Sequence, residues 1–523
     1  MARGRGGPRI GYVLKVLSAE AVRTLDARSA ERGVSPLLLM ESAGRGAAEA
    51  IREWEPAAAR GRVLAVCGTG GNGGDALCAA RWLGLWGADP RTLLLGAPTG
   101  PAAEQAAAFR ASFPENILAA WGQDAGALGA WLGEADLVLD GILGVGISGE
   151  ARGGARRAIE ELNRSGLPVV AMDLPSGLEA DTGRVVGPAV RADLTLAMGC
   201  LKPCHLLPPA AELCGEVRIV GVAYPPEVWG EGEALAQVLD RADVRALLPL
   251  RSRFGHKGTF GKVLVVGGAV GMAGAVALAA EGALRAGAGL VHVLTPQPVF
   301  PIVAGLVPEA LVHPGLAAEG AFAAEAAAEA LRLAEGMDLI VVGPGLGRGP
   351  GPAEVVRALV RTSTPLVADA DALFALAQDP SVLTGSHGEI VLTPHAGEFA
   401  HLVGKDPSEI VPEEIRWARE TARDWRATTV LKGPPTVIAS SSGDVYLATT
   451  GTTALAHGGS GDVLAGMIGG LWASGASAWN AASAAVFVHG RAAELLAAGG
   501  SARAVLPSDL LAILPQAFAD LED

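Results

Sequence analysis

The chain has 523 residues, half of them apolar and 4% aromatic, with 72 glycines; it is too long for one hydrophobic core and too apolar for disorder, so two domains are expected. Its 41 basic against 55 acidic side chains leave a net charge of −14, which excludes a general nucleic-acid binder, whose surface must neutralise phosphates. An anionic ligand therefore has to be held by backbone amides and a few local bases.

The N-terminal MARGRGGPRI is basic, but no apolar run follows it, so no signal peptide is read. The longest uncharged run, 463–488, is broken by glycine, serine and Asn480 and reads as a buried helix pair rather than a membrane span. A cytoplasmic protein without a membrane partner is the expectation. Cysteines 67, 78, 200, 204 and 214 all lie in the first half, and their odd number gives no disulfide framework. Cys200, Cys204, His205 and Cys214 match no common zinc spacing, and reduced thiols are the favoured reading.

From 62 to 225 the strand-like runs RVLAVC, RTLLL, DLVLD, PVVAM, DLTLA and EVRIVGV alternate with helical segments, the pattern of a parallel sheet covered on both faces. GTGGNGGDALCAA, 68–80, is a glycine turn opening a helix, whose first amides favour an anion; alone it is equally a tight turn. LVLDGILGVGISGE puts Asp140 at a strand end, and VVAMDLPSGLEADTG does the same for Asp173 and Ser176. Ligands of open parallel sheets lie beyond the carboxyl ends of the strands, so Asn72, Asp75, Asp140, Asp173 and Ser176 can converge. Neutral oxygens beside a carboxylate suit a hard cation. Any one of these acids could instead be a helix N-cap.

These stretches resemble the N-terminal domain of the bifunctional NAD(P)H-hydrate repair enzymes, the epimerase of hydrated reduced nicotinamide cofactors, over roughly residues 17–225 including LKP at 201–203. The resemblance implies a Rossmann-like three-layer sandwich. It further implies that Gly71, Asn72, Gly73, Gly74 and Asp75, the turn Gly144, Val145, Gly146, Ile147, Ser148, Gly149 and Glu150, and Asp173 hold the hydrated cofactor. Asn72, Asp140 and Ser176 would ligate potassium, and Asp173 would be the acid/base that exchanges configuration at C6 of the nicotinamide ring. The sequence departs from the family at Gly71, where a second Asn is usual, and at Ala76, where Gly is usual.

YPPEVWGEGEA, 224–234, reads as a linker, giving domains at 1–226 and 240–523 with the connection at 227–239. The second alternation comprises KVLVVGG, LVHVL, DLIVVGPG, PLVAD, EIVLTP, TTVLKGP and TVIAS, and no repeat relates it to the first. Residues 256–296 form a strand, glycine loop, helix and strand. VVGPGLGRG and VLTPHAGEFA end strands in small-residue loops; His395 in the second is, alone, more often a capping or core histidine. VLKGPPTVIAS offers Lys432 and Thr436 around a glycine turn, a cradle for phosphate or ribose or equally a hairpin. In AHGGSGDVLAG the glycines let a phosphoryl group approach the backbone, the following helix directs amides at it, and Asp462 can take a proton. No GxxxxGK[ST] loop is present, and Asp462 as a plain N-cap remains compatible.

Together these motifs, in family order over about 240–521, resemble the ADP-dependent NAD(P)H-hydrate dehydratase of the ribokinase-like superfamily. The resemblance implies that Ala275, Gly345, His395 and Asp462 contact the hydrated cofactor, and that Lys432, Gly433, Pro434, Pro435, Thr436 and Gly461 hold ADP or AMP. Asp462 would be the base, ADP with magnesium would activate the C6 hydroxyl and become AMP and phosphate, and the chain would self-associate. Thr452 and Thr453 stand where the family has Asn-Pro, and Pro434 and Pro435 depart within the nucleotide turn. Both activities in one chain make sense together, because hydration yields two C6 epimers and a dehydratase specific for S strands the R form of NADHX and NADPHX. The alternative is a ribokinase-like small-molecule kinase fused to a non-catalytic Rossmann-like module; the presence of Asp140, Asp173 and Ser176 weighs against it.

Overall fold

The computed structural model describes residues 14–119, 127–146 and 149–522. It divides into two compact units between Gln237 and Val238, each an α/β fold.

In the first unit, β2 (Arg62–Cys67), β3 (Asp89–Leu94), β4 (Ile117–Ala119), β5 (Leu137–Gly141), β6 (Val169–Met172), β7 (Leu194–Met198) and β8 (Glu216–Val220) form a parallel sheet in the order β4-β3-β2-β5-β6-β7-β8. Continuous apolar runs are what a sheet buried on both faces requires. Successive side chains of β2 accordingly enter two cores: Val63, Ala65 and Cys67 pack on one face, Leu64 and Val66 on the other. The chain runs outward from β2 to β4 and then returns to place β5 beside β2. That reversal parts the loops after β2 and β5 and opens a crevice between them.

Two short strands, β1 (Lys15–Val16) and β9 (Ala236–Val238), pair antiparallel, with Lys15 opposite Gln237 and Val16 opposite Ala236. The segment read as a linker from its proline, glycine and acid content is thus ordered structure. Pro226 opens the helix Pro226–Glu231, and Val228 and Trp229 are buried with Leu17, Val22, Leu25 and Cys200.

The second unit repeats the logic with β10 (Lys262–Val266), β11 (Leu290–Pro296), β12 (Leu311–Gly315), the small pair β13 (Ala317–Ala318) and β14 (Ala321–Phe322), β15 (Leu339–Val342), β16 (Leu366–Ala368), β17 (Ile390–Leu392), β18 (Thr428–Leu431), β19 (Thr436–Ala439) and β20 (Val445–Ala448). From one side the order is β20-β19-β18-β17-β16-β15-β10-β11-β12, parallel except where β19 pairs with β18 and β20. Here the reversal falls between β10 and β15. Val263 and Val265 face one core while Leu264 and Val266 face the other. The uncharged run at 463–488 falls in the buried helices Ser460–Ala473 and Ala478–Gly499. Among the described residues no helix is long and apolar enough to cross a membrane.

Candidate active sites

A cleft of about 520 Å³ occupies the strand reversal of the first unit. Gly71, Asn72, Gly73 and Asp75 line it from the start of the helix Gly71–Leu85, and Gly144, Val145 and Gly146 line it from the loop after β5. A Cβ on Gly73 would lie 2.2 Å from the Gly68 carbonyl oxygen, so only glycine lets the helix start this close to the turn. Gly74 packs instead on Met40 and Ala102, and Ala76 lies against Gly141. Ile147 and Ser148 lie outside the described residues. Gly149 and Glu150 lie beyond the cleft lining, with the Glu150 carboxylate 3.7 Å from Arg156.

Asp173 lines the same cleft with a backbone φ of +61°, a left-handed conformation that costs a non-glycine residue about 1–3 kcal/mol and persists only where its surroundings enforce it. Those surroundings are visible. Oδ1 accepts from the Met198 amide at 2.9 Å and from the Lys202 ammonium, and the Asp173 carbonyl faces His205 Nε2 at 2.8 Å. Because His205 Nδ1 accepts from the Lys202 amide, Nε2 carries the proton and donates to that carbonyl. Burial, then the Lys202 charge, holds the His205 imidazole down at about 4, so it is neutral. Lys202 is wholly buried; burial opposes its charge, but Asp173 outweighs that and raises the ammonium's pKa.

Two further acids face this pair. Tyr224 donates to Asp26 at 2.9 Å, and both line the cleft with Asp75. Burial first, then Asp173 and Asp26, pushes the Asp75 carboxyl well above the usual range.

Beneath the cleft the structure joins Asn72, Asp140 and Ser176. Ser176 donates to Asp140 from its hydroxyl at 2.6 Å and from its amide at 2.8 Å, and the Leu143 amide donates to the Ser176 hydroxyl at 2.8 Å. Asn72 Nδ2 donates to the Leu143 carbonyl at 2.6 Å, leaving its buried Oδ1 without a partner. Burial lifts Asp140 to about 6 against the pull of its three hydrogen bonds. A carboxylate strained toward protonation and an unsatisfied amide oxygen are a donor set that a hard monovalent cation would satisfy. The five cysteines are free and buried, and among the described residues no His, Cys, Asp and Glu cluster could hold a metal.

In the second unit the loops after β10 and β15 interlock: the Gly268 amide donates to Pro344 at 3.1 Å and the Ala269 amide to Gly345 at 2.6 Å. A Cβ on Gly345 would lie 3.0 Å from that of Ala275, which brings these two predicted residues together. His395 N-caps the helix Ala396–Val403, its Nδ1 accepting from Gly397 and Glu398. The capping reading therefore holds, and its ring stays exposed.

Gly459, with a φ of +102°, turns the chain into the helix Ser460–Ala473, which bears Asp462 in its first turn. Gly461 stands beside Lys432, since a Cβ there would lie 3.3 Å from the ammonium nitrogen. Thr436 closes the turn at Gly433, its hydroxyl donating to that carbonyl at 3.0 Å. The Lys432 ammonium lies 2.8 Å from Asp369 and 3.8 Å from Glu398. Burial, and after it Asp369, pushes Asp462 up to about 7 against the opposing pull of Lys432. Asp371 accepts from the Gly347 amide and from Arg348.

Sequence reasoning overlooked Asp26, Lys202, His205 and Tyr224 as site residues in the first unit and Asp369, Asp371 and Glu398 in the second. The signal for Asp369 was present, because it follows the strand Leu366–Ala368 as Asp140 ends its own.

Comparison with known proteins follows the same two-part layout. The family profile described as "NAD(P)H-hydrate dehydratase" matches residues 263–516, and that described as "YjeF-related protein N-terminus" matches 37–204. The chain is 39% identical over 512 residues to the bifunctional NAD(P)H-hydrate repair enzyme Nnr of Moorella thermoacetica, covering 95% of this chain and 94% of that one. To the enzyme of the same name from Escherichia coli it is 34% identical, over 94% and 92% of the two chains. The ADP/ATP-dependent NAD(P)H-hydrate dehydratase of Bacillus subtilis, crystallised with ATP and Mg2+, aligns with a TM-score of 0.49 at 34% identity, over 54% of this chain and 98% of that one. Matched along nearly its whole length, this chain belongs to the family of bifunctional NAD(P)H-hydrate repair enzymes.

Proposed function

We propose that the chain restores hydrated NADH and NADPH: the first unit interconverts the R and S epimers at C6, and the second dehydrates the S epimer with ADP, yielding AMP and phosphate. The observation that carries this reading is that each unit holds one acid under tight control, Asp173 fixed by Lys202 and Asp462 pushed up to about 7 at a helix start.

In the first unit, Lys202 and the Met198 amide both hold Oδ1 of Asp173, which leaves Oδ2 free to exchange a proton with the C6 hydroxyl. The ring nitrogen's lone pair expels that hydroxyl as water, water returns on the opposite face, and the centre is inverted. Gly71, Asn72, Gly73 and Asp75, with Gly144 to Gly146, provide the walls against which the ring is held. Asn72, Asp140 and Ser176 would hold potassium, and the orphaned Asn72 Oδ1 supports that assignment. Bound there, potassium would supply a fixed positive charge to offset the buried Asp140.

In the second unit, Asp462 takes the proton of the C6 hydroxyl as its oxygen attacks the terminal phosphorus of ADP, and AMP leaves. The hydroxyl has become a phosphate ester, a far better leaving group. Expulsion of phosphate by the ring nitrogen's electron pair and loss of a C5 proton regenerate the dihydropyridine. Lys432, beside Gly461, and the first amides of the Asp462 helix would offset phosphoryl charge, and their closeness supports that role. Magnesium arrives as part of the nucleotide co-substrate, which suits a cation usually bound through substrate phosphates.

The test is recovery of reduced-nicotinamide absorbance when the purified chain meets a mixed-epimer NADPH hydrate with magnesium and ADP, ATP or no nucleotide. Full recovery with ADP is expected. Recovery that stops at the S share would refute the epimerase half, and a stable phosphorylated product would refute the dehydratase half.

A further inference from the structure

Asp369 is the one acid of the second unit's cluster that is fully enclosed, at 1% exposure, and it belongs to none of the motifs that pointed to the site. Its Oδ1 receives two donors, the Thr393 hydroxyl at 2.8 Å and the Lys432 ammonium at 2.8 Å. Thr393 is itself buried just after β17, and its hydroxyl also reaches the Ala368 carbonyl at 3.2 Å, so the carboxylate is held by a side chain that is itself fixed. Gly343, with a φ of +122°, adds a second constraint: a Cβ there would lie 1.8 Å from the Asp369 carbonyl oxygen, so the backbone of the β15 loop closes directly on this residue. Lys432 has an alternative partner in Glu398 at 3.8 Å. Without Asp369 the long, flexible lysine stem is left with Glu398 as its ion-pair partner and loses the contact that holds it beside Gly461.

We infer that Asp369 is a positioning residue of the dehydratase centre: locked by Thr393, its carboxylate aims the Lys432 ammonium at the start of the helix carrying Asp462, where the nucleotide's transferred phosphoryl group would pass. The inference rests on the dehydratase reading above. It has a second consequence, because Asp369 is also the principal anion facing Asp462. The groups around Asp462 are Asp369, Asp371 and Glu398, which disfavour its charge, and Lys432, which favours it. Removing the Asp369 charge therefore makes Asp462 easier to ionise while freeing the lysine to turn toward Glu398.

The decisive variant is Asp369→Asn, assayed for S-NADPH hydrate dehydration across roughly pH 5.5–8.5, with epimer exchange by the same preparation as an internal measure of folded protein. The expected result is a fall in kcat/KM for magnesium-ADP of about 10- to 100-fold, the scale of a misplaced catalytic group, together with an acid limb displaced to lower pH. Asp369→Glu should recover part of the rate. A purely structural residue would lower the yield of folded chain and leave the limb where it is. Unchanged kinetics and an unchanged limb in Asp369→Asn, beside an active wild type, would overturn the inference alone. An inactive wild type would instead overturn the dehydratase reading. Should Asp369→Asn not fold, Thr393→Val removes the lock without touching a charge; a loss of about 10-fold or more is expected from one hydrogen bond to a charged group, and wild-type kinetics there would overturn the inference.

Discussion

Replacing Lys202 by methionine is the most severe single test of the first site. The Lys202 side chain is wholly inaccessible and that of Asp173 is 12% exposed, so solvent does little to screen either charge. Methionine keeps most of the stem's volume and removes the ammonium, leaving Asp173 with one hydrogen bond, from the Met198 amide at 2.9 Å. Breaking a buried pair from one side costs about 3–5 kcal/mol because the remaining charge is uncompensated, whereas replacing both charges is often nearly neutral. Lys202→Met should therefore destabilise the first unit by about 3–5 kcal/mol, and Asp173→Asn with Lys202→Met should recover at least about 2 kcal/mol of that. Chemical denaturation, with hydrogen–deuterium exchange of residues 194–205 as the local readout, measures both. Both proteins should lose epimer exchange and keep dehydration of the S epimer. A cost below about 1 kcal/mol, or a double variant no more stable than the single one, would refute the claim that the pair is buried and mutually dependent.

As a base, Asp462 must be ionised, so dehydration should rise with pH through about 7 and level off above it, and Asp462→Asn should abolish it. The same carboxyl sits at about 7 in the fold against an ordinary 3.8, so the folded chain retains a proton that the unfolded chain sheds first. Stability is then lost, by at most about 4 kcal/mol at about 1.4 kcal/mol per pKa unit, as pH rises from about 4 to about 7, and is level above that; denaturation on either side of that window should show Asp462→Asn escaping the loss. Exchanging potassium for lithium, or Asn72 for alanine, should slow epimer exchange and leave dehydration unaltered; an exchange rate indifferent to both would remove the cation assignment. Gly73→Ala, whose Cβ would lie 2.2 Å from a carbonyl oxygen, should cost about 1–3 kcal/mol of stability. Gly71→Ala, with nothing within 4 Å, should fold as the wild type does, and equal melting of the two would contradict the helix start described above.

Much of the architecture was legible because buried parallel strands must be apolar on both faces: RVLAVC and KVLVVGG announced β2 and β10 directly. The short edge strand β4 carries no such signal, since three residues at a sheet edge establish no period. The glycine turns and their acids were equally readable, because close backbone approach and strand-end placement leave a local pattern. Their partners were not. Lys202 reaches Asp173 across 29 residues and Asp369 reaches Lys432 across 63, and only the folded sheet brings those ends together. His205 was weighed as a possible metal ligand from its cysteine neighbours, yet its ring serves the backbone of Asp173 and the turn at Lys202.

The left-handed backbone at Asp173 narrows the residues that this position can hold. Asparagine and glycine enter that region readily, whereas alanine and the branched residues do so at a cost. A lineage that abandoned epimer exchange while retaining the fold would therefore drift at this site toward Asn or Gly rather than toward the whole alphabet. The position would keep a legible scar of its former chemistry, and an alanine placed there in the laboratory would report on backbone strain as much as on the lost carboxylate.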